Sequence, residues 1–289
     1  MKFGLIPINI GAEKSDDVIR LAQKAEEVGF ESVWTFEHTI IPVDYQSKYP
    51  YSDDGKMAGD SKAPIIDPLI TLAAIAASTT KLRLATGVNI LTQTNPIYMA
   101  KQAASLDFMS DGRFMLGVGI GWLREEYVAI GAPFERRGAR HDDYVEAIRK
   151  MWTGDVVEHK SDFIDWSGFH SYPLPVQKVG DQPAVPIIIG GTKGKIFERV
   201  AKLGDGWYAP TPSPEMLEPM IPQLKAACAA EGRDVSSVEI SSMWFPSMTG
   251  KDGLKRFEDM GVERLTVFNA SLEVDPLEGV ERFADEYLG

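Results

Sequence analysis

The sequence predicts an α/β fold in which eight parallel strands and their helices close into a (β/α)8, or TIM, barrel, with insertion segments after strand two and before strand five. Three observations carry this expectation. Short β-branched or apolar runs alternate with longer stretches of helical spacing along the whole chain, the pattern of successive βαβ units on a parallel sheet. The strand and helix pairs number eight, without an internal repeat of high similarity. A length of 289 residues suits one barrel domain over 1–289. The open doubly wound sheet is the competing architecture.

Lys2 to Ile8 reads as strand one and Ser15 to Val28 as its helix, with Ser15 a suitable N-cap and Gly29 a suitable stop. Ser32 to Phe36 is strand two. A long aromatic and Pro-rich insertion, Thr39 to Ile66, precedes a helix that Asp67 and Pro68 open and that runs through Ala77. Lys81 to Val88 is strand three, Pro96 to Met109 its helix, Arg113 to Gly119 strand four, and Arg140 to Trp152 a later helix. Gly154 to Pro186 shows no helical period. Pro186 to Ile189 is strand five, Lys195 to Leu203 its helix, Gly206 to Tyr208 strand six and Met216 to Glu231 the next helix. Val238 to Trp244, Lys251 to Met260, Arg264 to Phe268 and Leu277 to Leu288 complete the alternation. In such a barrel the loops after the strands carry the chemistry, so the two long irregular segments are candidate lids or pocket walls.

Composition narrows the function classes. With 44% hydrophobic and 25% charged residues the chain has the balance of a soluble globular protein. A formal charge of −12 gives a field that repels polyanions such as nucleic acid. No run approaches the roughly 20 apolar residues of a membrane span. The N-terminal MKFGLIPINIG reads as a strand rather than a signal peptide, and the lone Cys228 cannot form an internal disulfide, so a cytoplasmic location is expected.

Gly117, Gly119 and Gly121 in LGVGIGW end strand four, where absent side chains would let a planar or phosphorylated ligand approach the backbone; a tight turn is the plainer alternative. Their spacing is not that of a dinucleotide fingerprint. Gly190 and Gly191 in IIIGGTKGK join strand five to a helix and are expected to offer unpaired N–H groups to an anion, with a plain strand-to-helix turn as the alternative. Glu37 and His38 follow strand two, and His38 can give or take a proton near neutral pH. The other histidines, at 141, 159 and 170, lack comparable placement. Arg136, Arg137 and Arg140 could meet a phosphate or pair with carboxylates. Trp34, Trp122, Trp152 and Trp207 suit either core or pocket wall. No HExxH, paired CxxC or Asp-rich calcium loop occurs, so no metal is expected, and no GxSxG elbow points to a hydrolase.

The ordered segments TFEH, DPLITLAAIAASTTKLRLATGV, NPIYMAKQAASLDFMSDGRFMLGVGIGW, EYVAIGAPFERRGARHDDYVEAIRKMWTG and PIIIGGTKGKIFERVAKLGDGW resemble the luciferase-like monooxygenase superfamily from residue 1 to about residue 210. GVGIGWLREEY and the segment containing YPYSDDGK are similar to its branch dependent on the deazaflavin coenzyme F420, whereas other members use FMN. The resemblance implies a tricyclic ring over the strand ends and a cofactor phosphate near Gly190, Gly191 and Thr192. It also implies a non-prolyl cis peptide around Gly87 and Val88 that supports the ring face. Thr86, Gly119, Gly121, Trp122 and Arg137 complete the implied cofactor set, and His38 with Glu37 the implied catalytic pair. Trp122 stands where the sugar-phosphate dehydrogenases of this branch carry a glutamate. The implied reaction is hydride transfer between a small organic substrate and C5 of F420; the alternative is an FMN-dependent monooxygenase using reduced flavin and oxygen. A binding module without turnover, and a barrel hydrolase or aldolase, are further alternatives. A homodimer is also implied, with Ile97, Met99 and Met109 as candidate interface positions and core packing as the rival account of them.

Overall fold

The computed structural model describes residues 1–272 and 275–289. Eight barrel strands pair in parallel in sequence order: Lys2–Ile6, Ser32–Thr35, Arg83–Thr86, Phe114–Gly119, Ile187–Gly190, Gly206–Ala209, Glu239–Trp244 and Arg264–Phe268. The last pairs with the first, Lys2 opposite Arg264 through Ile6 opposite Phe268, so the sheet closes. The fold is the expected (β/α)8 barrel, and the open sheet is excluded.

The last barrel strand and the Pro96–Met109 helix fall on their predicted bounds. Elsewhere the differences have local causes. Strand one stops at Ile6, because Pro7 has no N–H to extend the ladder. The first helix is capped by Asp16 without a side-chain bond, not by Ser15, while the Asp17 carboxylate takes the N–H groups of Glu13 and Lys14. Gly29 ends that helix in the left-handed region, as expected. Pro219 and Pro222 break the predicted helix 216–231 into Pro214–Leu217, a short 3-10 turn and Ile221–Ala230. Segment 154–186 contains two small antiparallel hairpins, Val157–Lys160 with Asp165–Phe169 and Lys178–Val179 with Gln182–Pro183. Val157–Lys160 alternates buried and exposed over only four residues, and the other three strands are largely solvent-facing, so the segment offered little alternation to read.

Two separate apolar clusters fill the molecule. The larger lies between sheet and helices, while Ile6, Trp34, Ala85, Met115, Ile188 and Tyr208 pack inside the barrel. Trp34 stacks on Tyr208 with ring centroids 5.2 Å apart. Gly4 makes room for that indole, since a Cβ there would fall within 3.0 Å of the Trp34 ring. Beneath this layer, at the N-terminal end, Arg264 is fully buried and forks onto Glu31 with two bonds of 2.8 Å, while its other amino group pairs with Glu239. The interior is therefore a packed plug, and a ligand can enter only from the C-terminal mouth. No helix among the described residues is long and apolar enough to cross a membrane.

Arg264→Ala would strip two half-buried carboxylates of their buried counter-charge, leaving the more exposed Lys2 paired with Glu239 at 3.3 Å. The expected cost is about 3–5 kcal/mol, read as a lowered urea midpoint; a loss under about 1 kcal/mol would show that this ion cluster does not hold the barrel floor.

Candidate active site

Strand three ends at Thr86, and the Gly87–Val88 peptide that follows is cis. The chain rejoins the sheet at Asn89–Ile90, opposite Val118 and Gly119. Between the Ala85–Met115 and Asn89–Val118 pairs strand three advances four residues and strand four three, so one extra residue is extruded. Val88 turns into the barrel and packs against the interior cluster. Its methyls fill a notch made by glycines: a Cβ on Gly119 or Gly190 would lie inside 3.0 Å of Val88. Thr86 is buried, donates its hydroxyl to the Gly117 carbonyl at 2.7 Å, and presses its own carbonyl where a Gly117 side chain would sit. At Gly119 the missing side chain thus admits Val88 of the same chain, as it does at Gly190. Val88 occupies that space and forms the apolar floor of the mouth.

Gly121 adopts φ +64°, and a Cβ there would also strike Ile90. Its carbonyl accepts from Arg137 Nε at 3.2 Å, and the Arg137 guanidinium stacks 3.8 Å above the Phe134 ring. Arg136 pairs instead with Asp162 on the surface, and Arg140 is buried against the Pro133 carbonyl, so only Arg137 of the three stands beside the strand-four glycines. Trp122 is half-buried and is met edge-on by His38, Tyr45 and Tyr49 at centroid distances of 6.0, 5.4 and 5.2 Å. Tyr45 and Tyr49 belong to the insertion, which thereby wraps one side of the mouth in aromatic rings.

Glu37 and His38 leave strand two at the same end. Glu37 accepts the Ile90 N–H just past the Val88 bulge. Burial, opposed by that bond and reinforced by Asp67 and Glu126, pushes its carboxyl up to about 8. His38 Nδ1 lies 3.1 Å from Glu126 Oε2, with its side chain 10% exposed and that of Glu126 fully buried. Burial alone would raise Glu126, but its bonds from His38, Gln93 and backbone amides hold it below the ordinary carboxylate range.

Sequence reasoning missed Glu126, Glu125 and Asn9. Glu126 accepts from Thr39 N at 2.6 Å and Ile40 N at 3.3 Å, and Glu125 from Gln46 N at 2.7 Å and Ser47 Oγ at 2.6 Å. Both stand on the helix Arg124–Ala129, which at six residues is too short to show a period. Asn9 is fully buried and its amide joins Phe36 to Ile66, the two ends of the insertion. The one available signal was a polar residue directly following an apolar strand.

The strand-five turn needs a correction. The Gly191 N–H is not free but donates to the Tyr208 carbonyl at 3.0 Å, and its own carbonyl accepts from Trp207 Nε1 at 2.8 Å. Its φ of +127° suits glycine alone. The helix Ile196–Leu203 starts after four further residues and has no side-chain cap, so any anion site shifts to the turn Thr192–Lys195. Insertion residues reach that turn: Tyr51 hydrogen-bonds with Thr192, and Lys193 Nζ donates to the Pro50 carbonyl at 2.5 Å. A chain of contacts from Thr192 through Tyr51, Tyr49, Trp122 and His38 thus links the expected phosphate and catalytic positions around one rim. Two clefts, one against Lys24 and Glu281 and one against Lys225 and Glu263, lie away from the C-terminal strand ends.

A closed barrel with a cis-peptide bulge at the end of strand three and a histidine after strand two defines an α/β-barrel class whose reactive end is the C-terminal mouth. The sequence model of the luciferase-like monooxygenase family matches residues 5–252, and the chain belongs to that family of oxidoreductases. An uncharacterised protein of Mycobacterium tuberculosis is 36% identical over 215 residues, covering 74% of each chain. An F420-dependent glucose-6-phosphate dehydrogenase of Amycolatopsis mediterranei is 28% identical over 233 residues, 77% of this chain and 62% of that one. The solved structure of an F420-dependent secondary alcohol dehydrogenase, in complex with an F420-acetone adduct, superposes with a TM-score of 0.79 at 19% identity, covering 99% and 98% of the two chains.

The raised Glu37 carboxyl links stability to pH. The folded chain keeps a proton that the unfolded chain releases, so this contribution is complete below about 4.5 and is lost as pH rises through about 8. Glu37→Gln should remove that loss, so that urea unfolding at about pH 5 and about pH 9 shows a gain over wild type that is far larger at the higher pH. An equal effect at both would contradict a neutral Glu37.

Proposed function

We propose that this protein is a coenzyme F420-dependent oxidoreductase that transfers a hydride between a small organic substrate and C5 of the deazaflavin. The observation that carries the reading is a histidine held at the mouth of a closed barrel beside an apolar platform: His38 at the Trp122 edge, above a mouth floored by Val88 in its glycine notch. Oxidising a hydroxyl or reducing a carbonyl needs a hydride partner on one side and a proton partner on the other. The relatives named F420-dependent supply the choice of deazaflavin.

The residues present fit such a group. Val88 offers a smooth surface for one ring face, flanked by Thr86, Gly87, Gly119 and Gly190, and Trp122, Tyr45 and Tyr49 exclude water from one side. Gly191 shapes the turn, and Thr192, with Lys193, Lys195 and the uncapped start of the Ile196–Leu203 helix, would hold the phosphate in place of the Tyr51 contact. Arg137 adds a cation beside Gly121. When bound, F420 would supply the hydride acceptor or donor. His38 would take the substrate hydroxyl proton in oxidation or return it in reduction, and Glu37 would stay neutral and fix the backbone beside Val88.

A homodimer forms part of this reading. Met99 is buried at 2% exposure and Ile97 packs partly against the core, so neither is free for a partner. Met109 is exposed as expected, and Tyr98 and Phe108 on the same helix join it as candidate interface positions. Light scattering that gives a monomer at micromolar protein would remove the dimer.

Separate fluorescence titrations with F420 and with FMN test the cofactor. Saturable micromolar or tighter binding of F420, with FMN at least about tenfold weaker, is expected; FMN binding alone would favour a monooxygenase using reduced flavin and oxygen. With a turned-over substrate, His38→Asn should lower kcat by about 10²- to 10⁴-fold with cofactor affinity retained.

A further inference from the structure

We infer that Glu126 is a positioning residue that fixes His38 as its Nδ1–H tautomer, leaving Nε2 as the nitrogen that takes or returns the substrate proton. The inference rests on the proton role proposed for His38. Its basis is a count of donors around one carboxylate. Glu126 is fully buried, and each of its oxygens meets two partners. Oε1 accepts the amides of Thr39 at 2.6 Å and Ile40 at 3.3 Å; Oε2 accepts Gln93 Nε2 at 3.0 Å and lies 3.1 Å from His38 Nδ1. Backbone amides and a side-chain NH₂ can only donate, so three of the four contacts require an acceptor. A carboxyl in that setting is ionised and has no proton to offer, which makes Nδ1 the donor in the fourth contact. A neutral imidazole carries one N–H, and with it committed to Glu126 the lone pair sits on Nε2. The same carboxylate stays hydrogen-bonded to Nδ1–H while Nε2 takes or returns the proton, so the ring keeps its orientation through the step.

Glu125, the adjacent residue, provides the contrast. It holds the insertion through Gln46 and Ser47 and makes no bond to His38. If the His38 ring were ordered merely by a well-anchored insertion, loosening either carboxylate would disturb it. If the Glu126 carboxylate sets the tautomer, only Glu126 matters.

Long-range ¹H–¹⁵N spectra of the four histidines, with His38 assigned by its disappearance in His38→Asn, read the tautomer without any cofactor. The expected wild-type pattern is a protonated Nδ1 and an unprotonated Nε2. Glu126→Gln keeps the side-chain size but lets its NH₂ face the ring, and should move His38 toward the Nε2–H form, while Glu125→Gln should leave it unchanged. In turnover, Glu126→Gln should lower kcat by about 10²-fold or more with cofactor affinity retained. A wild-type Nε2–H pattern, or equal shifts in both glutamine variants, would overturn the assignment. Full turnover in His38→Asn together with the expected spectra would instead remove the catalytic role of His38 and leave the tautomer assignment standing.

Discussion

Val88 sits in the one place where four constraints of the barrel meet. Strand three must leave the sheet after Thr86, release one extra residue, and rejoin strand four at Val118. The released residue can turn inward only because strands four and five carry glycine at 119 and 190, where any Cβ would strike its methyls. Those methyls then cap the interior stack of Ile6, Trp34, Ala85, Met115, Ile188 and Tyr208. A close-packed interior transmits such a demand directly, so the bulge, the glycines and the platform stand or fall together.

The second constraint is how a long insertion is held over that platform without a regular structure of its own. Polar side chains from the barrel rim do this by accepting or bridging its backbone groups. Asn9 joins its two ends, Glu126 takes its first amides, Glu125 the amides near its middle, and Lys193 reaches its tip. Buried backbone groups must find partners, and here the partners also sit beside the candidate proton-transfer residue. Removing a fully buried carboxylate such as Glu126 would therefore loosen the insertion and free the His38 ring at once, which is why a size-preserving change is the informative one.

Much of the fold was legible because periodicity reports burial. The helix Pro96–Met109 buries residues at helical spacing, Met99, Ala100, Ala103 and Ala104 among them, whereas the short strand Arg264–Phe268 is buried on both faces up to Val267. The two small hairpins were not legible, because strands of two to five residues, most of them solvent-facing, carry too little alternation to read. In the site, His38 and Glu37 were visible as polar residues at a strand end, and the family resemblance located the Gly87–Val88 cis peptide. The glycines misled in a specific way: missing side chains signalled close approach, but the approaching group at 119 and 190 is Val88 of the same chain, and the Gly191 N–H is consumed by the sheet. Glu126 and Asn9 were invisible because their importance lies in partners 27 to 88 residues away, a separation no local pattern encodes.

The most direct test of the platform is equilibrium titration of F420 fluorescence with wild type and with Val88→Ala, whose unfolding midpoints are measured in parallel. Removing two methyls from the supporting surface should weaken binding by about tenfold, near 1.4 kcal/mol, with the barrel still folded. Unchanged affinity in a folded variant would show that the ring does not rest on Val88.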